Sequence, residues 1–198
     1  MFKLGLTGSI ATGKSTVLGM FETRGVPVFS ADAAVHRLYA GSGAAAVEAL
    51  FPGVVVYGRV DRSRLADRLV AAPGRLAELE AVIHPLVRGE VGAFFAAAAA
   101  EGAKLAVIDI PLLFETGFDY GLDGVAVTIC SAATQRKRAL ARPGMTVEKL
   151  DAILARQLPQ AEKRQRATYA FDTDMPLAAT EGMVEALIAA VAARASAA

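Results

Sequence analysis

Gly8-Ser9-Ile10-Ala11-Thr12-Gly13-Lys14-Ser15 fits the pattern G-x-x-x-x-G-K-[ST], and each fixed position answers to the chemistry of holding a nucleoside triphosphate. The glycines permit backbone angles closed to other residues, so that successive N–H groups can turn inward around an anionic phosphate. Lys14 supplies a point charge to the β- and γ-phosphates, and the Ser15 hydroxyl is placed to ligate Mg²⁺. The expectation is an ATP site.

Such a loop must leave a buried strand and open a helix whose N-terminus faces the phosphates. Residues 2–7 read as a short apolar strand, and residues 15–24 as a helix with Val17, Leu18, Met20 and Phe21 on its inner side, closed at Gly25 with Pro27 just beyond. Residues 26–29 read as a second buried strand. Asp32 stands past its C-terminal end, where open α/β sheets bind their ligands. The same geometry suits Asp32 as N-cap of a helix over 33–39, and the two roles are compatible. Residues 105–109 are four apolar residues ending in Asp109, the form expected of the acid that holds or orients Mg²⁺ beside the phosphate loop. Residues 110–115 form a rigid apolar loop that carries Glu115 at the same edge. Residues 125–130 read as a fourth strand, 169–171 as the last strand and 176–194 as the last helix, and the closing Ala195-Ser196-Ala197-Ala198 is expected to fray.

Between Gly41 and Gly102 the pattern changes to amphipathic helices, with a strand only at Val54-Val55-Val56. Asp61 can cap a helix over 62–70, and Leu76, Leu79, Val82 and Ile83 form a stripe. Pro85 fits the first turn of a further helix ending at Gly102. His84 is either a ligand contact or a capping residue, and its spacing favours the cap. A helical stretch in this place reads as a substrate-binding insertion.

Residues 135–166 hold nine Lys and Arg against three acids, a local +6, in a chain whose net charge is +1. That leaves about −5 elsewhere, so the basic segment reads as a clamp for a highly charged ligand. It falls into two helical pieces, 134–142 and 146–157, broken at Pro143-Gly144 and Pro159. An arginine-rich hairpin of this kind suits a lid that closes over ATP and excludes water.

Composition bounds the alternatives. A chain of 198 residues supports one substantial core, expected as a single domain with inserts. No apolar run approaches the ~18 residues of a membrane span, and Met1 leads into the first strand without a signal-peptide pattern. A cytoplasmic enzyme, with no membrane partner, is the expectation. Cys130 is the only cysteine and there are two histidines, which excludes an internal disulfide and a Cys/His metal cluster. Cys130 ends an apolar strand and reads as a small core residue, not a nucleophile. The near-neutral charge gives no reason to expect nucleic acid.

The chain resembles the dephospho-CoA kinase family over nearly its whole length. The resemblance is carried by residues 5–17, by Ala31-Asp32, by Asp61-Arg62 to Leu65, by Leu79 to Pro85 with its His84-Pro85, by Asp109-Ile110-Pro111-Leu112-Leu113-Phe114-Glu115, by Gln135-Arg136-Lys137-Arg138 with Arg142, and by Arg156-Gln157. It implies an α/β fold of the P-loop NTPase kind: a parallel sheet flanked by helices, with core 1–40, 103–133 and 167–198, a helical substrate-binding insertion 41–102 and a helical lid 134–166. It implies ATP-dependent phosphorylation of the ribose 3′-hydroxyl of dephospho-CoA with Mg²⁺, by a monomer or weak homo-oligomer. Main-chain N–H groups of Ala11, Thr12, Gly13, Lys14, Ser15 and Thr16 would hold the phosphates, and Ser15 with Asp109 the metal. Asp32 would orient or deprotonate the hydroxyl. Lys14, Arg138 and Arg142 would stabilise charge on the transferring phosphate. Asp32, His84, Leu112 and Glu115 would border the acceptor. Ser9 and Ala11 stand where the family usually has glycine, Ser30 replaces the first acid of D-A-D, and Thr168 and Asp172-Thr173 also depart, so no adenine contact is carried over there.

Three other readings compete, and one of them, a nucleic-acid-binding ATPase, is disfavoured by the near-neutral charge and the absence of an RNA or DNA motif. A different small-molecule P-loop kinase would share the site and differ in residues 41–102. A regulatory GTPase would need [NT]-K-x-D, and the only approach, Glu148-Lys149-Leu150-Asp151, has the wrong first residue and lies in an expected lid helix.

Overall fold

Runs of Val, Ile and Leu bounded by Gly and charged residues make the central strands, and the computed structural model describes residues 1–196 of the chain, with side chains through Arg194. The strands are β1 (Phe2–Gly8), β2 (Val28–Ser30), β5 (Leu105–Asp109), β6 (Gly124–Ile129) and β7 (Tyr169–Asp172), and they form one sheet in the order β2-β5-β1-β6-β7. β1 runs parallel to both β5 and β6, and β6 parallel to β7. Register places Leu6 opposite Asp109 and Gly8 opposite Thr128, so the ends of three neighbouring strands meet at one edge. That edge carries the phosphate loop.

The chain divides into two compact units, Met1–Phe29 with Phe95–Ala198, and Ser30–Phe94. In the first, α1 (Lys14–Glu22) buries Val17, Met20 and Phe21, and α10 (Leu177–Ser196) buries Val184, Leu187 and Val191 in the same cluster as Leu4, Leu6, Val107 and Phe171. Phe21 meets Phe171 edge to face, with centroids 6.0 Å apart. Each such fully buried side chain contributes about 1.5–3 kcal/mol, enough to fix α1 under β1 and so to fix the loop between them. Fraying was expected over Ala195-Ser196-Ala197-Ala198, but α10 includes Ala195 and Ser196, and Ala197 and Ala198 lie outside the described residues. The short α6 (Leu113–Thr116) follows β5. The basic segment holds three helices, not two: α7 (Ala132–Leu140), α8 (Val147–Leu154) and α9 (Gln160–Arg166). α9 has almost no apolar residue, so periodicity gave no sign of it.

The second unit is helical: α2 (Ala31–Tyr39), α3 (Ala44–Leu50) and α4 (Arg62–Ala71), with a small hairpin of β3 (Val55–Val56) and β4 (Arg59–Val60). The hairpin turn places both Tyr57 and Gly58 at positive φ, 50° and 77°, as a type I′ connection requires. Asp61 caps α4 through Ser63 and Arg64 N–H, as expected. Arg75 lies over the Phe51 ring, 4.4 Å from its centroid, and donates to the Leu50 carbonyl at 2.9 Å. α5 (Leu76–Ala100) leads out of this unit as one continuous helix. Pro85 lies inside it and does not begin a new one, because a single missing N–H at that position is outweighed by an apolar stripe, Leu79, Ile83, Val87, Val91, Phe95 and Ala98, that is buried along the whole length. His84 is therefore mid-helix and caps nothing. The helical stretch Pro73–Ala100 is long and apolar enough to cross a membrane by length and composition, a test that the core helix of a soluble protein also passes. Alanines raise its average, while Arg88 and Glu90 interrupt the run.

Candidate functional site

The phosphate loop is shaped by close approach. A Cβ on Gly8 would lie 2.2 Å from the Thr128 hydroxyl and 2.7 Å from that of Thr12, so only glycine lets β1 pass into the loop here. Thr12 is buried, and its hydroxyl donates to the Ser9 carbonyl at 2.8 Å. With that proton spent, the buried Thr128 hydroxyl 2.8 Å away is the donor to Thr12. Gly13 precedes α1 at φ 87°. Ala11 adopts φ 61°, a left-handed conformation that costs a non-glycine residue about 1–2 kcal/mol and that the surrounding contacts must hold.

Among the described residues, the N–H groups of Ala11, Gly13, Lys14 and Ser15 have no acceptor within the protein, whereas Thr12 N–H donates to Ser9 O at 3.3 Å and Thr16 N–H to Gly13 O at 3.1 Å. Lys14 forms an ion pair with Asp109, which is 5% exposed at the end of β5. Ser15 and Thr16 are exposed on the first turn of α1. A cleft of about 380 Å³ opens beside this turn, lined by Thr16, Met20, Arg138, Arg142, Thr173 and Leu177 among others. Both arginines predicted for the lid therefore face the phosphate loop.

The remaining predicted positions stand on or at the start of α2, α5 and α6. Asp32 is exposed in the first turn of α2, in the helical unit, and the N-cap is Ser30, whose hydroxyl accepts from Ala33 N–H at 3.3 Å. The helix begins two residues earlier than expected, so Ser30 takes the cap and leaves the Asp32 carboxylate unspent. His84 is half-buried in α5. Leu112 is exposed at the start of α6. Glu115 turns inward: its Oε1 pairs with the fully buried Lys163 Nζ of α9 at 2.7 Å and accepts from Leu158 N–H at 2.9 Å. Cys130 is half-buried, and burial pushes its thiol above the ordinary range with Arg138 opposing in part, which agrees with an inert side chain.

A family model described as dephospho-CoA kinase matches residues 2–178. A dephospho-CoA kinase of Mesorhizobium japonicum is 53% identical over 188 residues, 95% of each chain, and one of Brucella melitensis is 55% identical over 173 residues, 87% of this chain and 86% of its own. The chain belongs to the dephospho-CoA kinase family. A Thermus thermophilus protein of solved structure superposes with a TM-score of 0.81 at 35% identity, over 95% of this chain and 96% of its own. A dephospho-CoA kinase of Campylobacter jejuni, 22% identical, gives 0.67 over 96% of each chain and shares the fold.

In this family member, sequence reasoning missed Thr173. Its hydroxyl lies 2.9 Å from the Thr12 carbonyl and 3.2 Å from that of Ile129, and Arg138 reaches it from α7. Met175, Leu177 and Thr180 complete the apolar side of the cleft. The only signal was the departure at Asp172-Thr173 from the family pattern, which marked the position without giving its contacts.

Proposed function

We propose that the chain transfers the γ-phosphoryl group of ATP to the ribose 3′-hydroxyl of dephospho-CoA, giving coenzyme A and ADP, the last step of coenzyme A synthesis. The observation that carries this reading is the Lys14–Asp109 pair beside a phosphate loop, in a chain whose family match runs through both loop and basic segment. Phosphoryl transfer asks mainly for positioning and charge stabilisation. The N–H groups of Ala11, Gly13, Lys14 and Ser15 hold the β- and γ-phosphates, assisted by Thr12 and Thr16 if their loop bonds yield. Lys14 exchanges part of its contact with Asp109 for phosphate oxygen. Arg138 and Arg142 bring positive charge to the transferring group, and the helices of 134–166 act as the lid.

Asp109 and Ser15 fit Mg²⁺: both offer hard oxygen donors, and such a cation keeps its waters and phosphate oxygens as remaining ligands. Among the described residues no group of three or more His, Cys, Asp or Glu could hold a metal by itself, which suits a cation that arrives with the nucleotide. When bound it would neutralise charge on the phosphates. Asp32 orients the acceptor hydroxyl, and in a loose transition state orientation matters at least as much as proton removal. His84 and Leu112 border the acceptor, with residues 41–102 as the substrate-binding insertion. Glu115, beyond Leu112 in the same loop, borders the acceptor as well, with one carboxylate oxygen committed to Lys163. We place the enzyme in the cytoplasm as a monomer or weak homo-oligomer with ATP and dephospho-CoA as its partners, and with no part for nucleic acid or membrane.

The test is ADP release with Mg·ATP and dephospho-CoA, adenosine, AMP, shikimate or pantothenate as separate acceptors, and Lys14→Ala as control. Turnover with dephospho-CoA alone, absent in the variant, is expected. Turnover only with another acceptor would overturn the substrate assignment.

A further inference from the structure

Ile10 stands at the tip of the phosphate loop, and both of its backbone polar groups are held by glutamines of the basic segment. Its N–H donates to Gln157 Oε1 at 3.0 Å, and its carbonyl accepts from Gln135 Nε2 at 2.8 Å. Gln135 is 6% exposed on α7. Its Oε1 in turn accepts from Gln160 Nε2 at 2.9 Å, and Gln160 Oε1 accepts from Cys130 N–H at 3.0 Å. The chain runs from the end of β6 to the phosphate loop through two side-chain amides. Its two ends are backbone groups of fixed polarity, a donor at Cys130 and an acceptor at Ile10, so each amide has only one orientation that satisfies every bond.

The consequence for the loop follows from peptide geometry. In a trans peptide the C=O and N–H point in opposite directions. Gln135 draws the Ile10 carbonyl toward α7, so the N–H of the same peptide, that of Ala11, is aimed away from α7. This is one of the N–H groups without an acceptor in the protein. The preceding peptide is clamped likewise: Ser9 O accepts from Thr12, and Ile10 N–H is spent on Gln157. With both planes fixed, the φ and ψ of Ile10 are held and the Ala11 N–H keeps its direction, at the entrance to a residue that stands at φ 61°.

We propose that Gln135 and Gln157 are positioning residues for nucleotide binding, which shape the phosphate loop from the lid segment through the Ile10 peptides, and that Gln160 acts by aiming Gln135. Neither glutamine lines the cleft beside the phosphate loop. The proposal rests on the phosphate loop's binding ATP but not on the identity of the acceptor.

The test is the affinity of the purified chain for a non-hydrolysable fluorescent ATP analogue with Mg²⁺, which requires no acceptor, together with KM for ATP and kcat. Gln135→Met and Gln157→Met keep side-chain volume and remove the bonds. Each is expected to weaken the analogue by about tenfold and to raise KM for ATP in step, with a smaller change in kcat. The charged variants separate positioning from mere charge. The Gln157 site needs only an acceptor, whereas the Gln135 site must donate to Ile10 and accept from Gln160. Gln157→Glu should therefore bind the analogue several-fold more tightly than Gln135→Glu, although both add the same charge. Gln160→Met should weaken binding alone yet add nothing to Gln135→Met. A thermal melt of each variant confirms folding. Methionine variants that are folded and bind within about twofold of the parent, or glutamate variants that weaken binding equally, would overturn the proposal. Loss of the acceptor reaction with analogue binding intact in the parent chain would count against the assigned substrate, not against this coupling.

Discussion

Arg138 grips Thr173 with both ends of its guanidinium, Nη1 donating to the hydroxyl at 2.8 Å and Nη2 to the carbonyl at 2.7 Å. The same hydroxyl donates toward Thr12 in the phosphate loop and Ile129 at the end of β6. One threonine thus ties an arginine of the proposed lid, the loop and the sheet edge together. Thr173→Val keeps the shape and the carbonyl and removes only the hydroxyl. It is expected to raise KM for ATP by about tenfold, the worth of one to two charge-assisted hydrogen bonds, while Thr173→Ser stays within about threefold of the parent. Equal kinetics for the two variants would show that the hydroxyl does not place Arg138.

What the sequence disclosed follows from locality. The phosphate loop, Asp109 at the end of an apolar strand and the break at Pro143-Gly144 are written in consecutive residues, and each stands where its pattern put it. The partner of Glu115 is Lys163, and Thr173 meets Thr12; such pairs are fixed by packing and leave no periodic trace. Asp32 was the expected cap, and the start of α2 two residues earlier gives that place to Ser30. Pro85 misled because a proline marks a helix start only when no buried stripe carries the helix across it.

The Glu115–Lys163 pair sets up a stability prediction. Lys163 is fully buried, and the carboxylate beside it has one oxygen, Oε2, with no hydrogen-bond partner. Lys163→Ala strands a buried charge and is expected to cost about 3–5 kcal/mol. Lys163→Met with Glu115→Gln removes both charges, keeps an oxygen for Leu158 N–H, and should recover most of that loss. Denaturant midpoints of the two variants measure the difference. A double variant no more stable than Lys163→Ala would mean that packing, not charge, is at stake.

Acid stability should depend on Glu48. Its two oxygens accept from Gly53 and Val55 N–H, each at 2.7 Å, and these bonds, with that from Gly53 the largest, hold the carboxyl below its ordinary 4.5. Asp174 is lowered likewise, by the Thr134 hydroxyl and then Ser131 N–H. A carboxyl depressed in the folded state contributes stability that is present above its unfolded value and is lost as pH falls through its folded value. Stability should decline below about pH 5, and the gap between the parent and Glu48→Gln should narrow over the same range. Denaturant midpoints between pH 3 and 7 test this; a gap independent of pH would assign the effect to something other than the charge.

Lys14→Met should separate the two duties of that residue. If Lys14 serves the phosphates as proposed, removing its charge is expected to lower kcat/KM by about 10²–10³, the usual cost of one transition-state donor. In the absence of nucleotide, the buried Asp109 carboxylate loses its cation as well. The variant should melt a few degrees lower, since about 1–3 kcal/mol is at stake in a chain where each kcal/mol moves the midpoint roughly 2–4 °C. An unchanged melting point with activity lost would mean that the ion pair adds no stability.

Asp32 is where binding and chemistry should part. Its carboxylate is exposed on the first turn of α2, and Ser30 has already met the capping need of that helix. Asp32→Asn therefore leaves the helix start intact and changes only the charge that the proposed role offers to the acceptor hydroxyl. The expected result is a kcat lower by about 10²–10⁴ with the affinity for an ATP analogue unchanged. Ser30→Ala is the complement: it should cost about 1 kcal/mol of stability through the lost cap and alter kcat only as far as the helix start shifts. A pH profile then divides the two roles open to Asp32. A general base gives a kcat limb at low pH that disappears in Asp32→Asn, whereas an orienting group gives a lower kcat with the limb unmoved. Full activity in Asp32→Asn would remove the residue from the mechanism altogether.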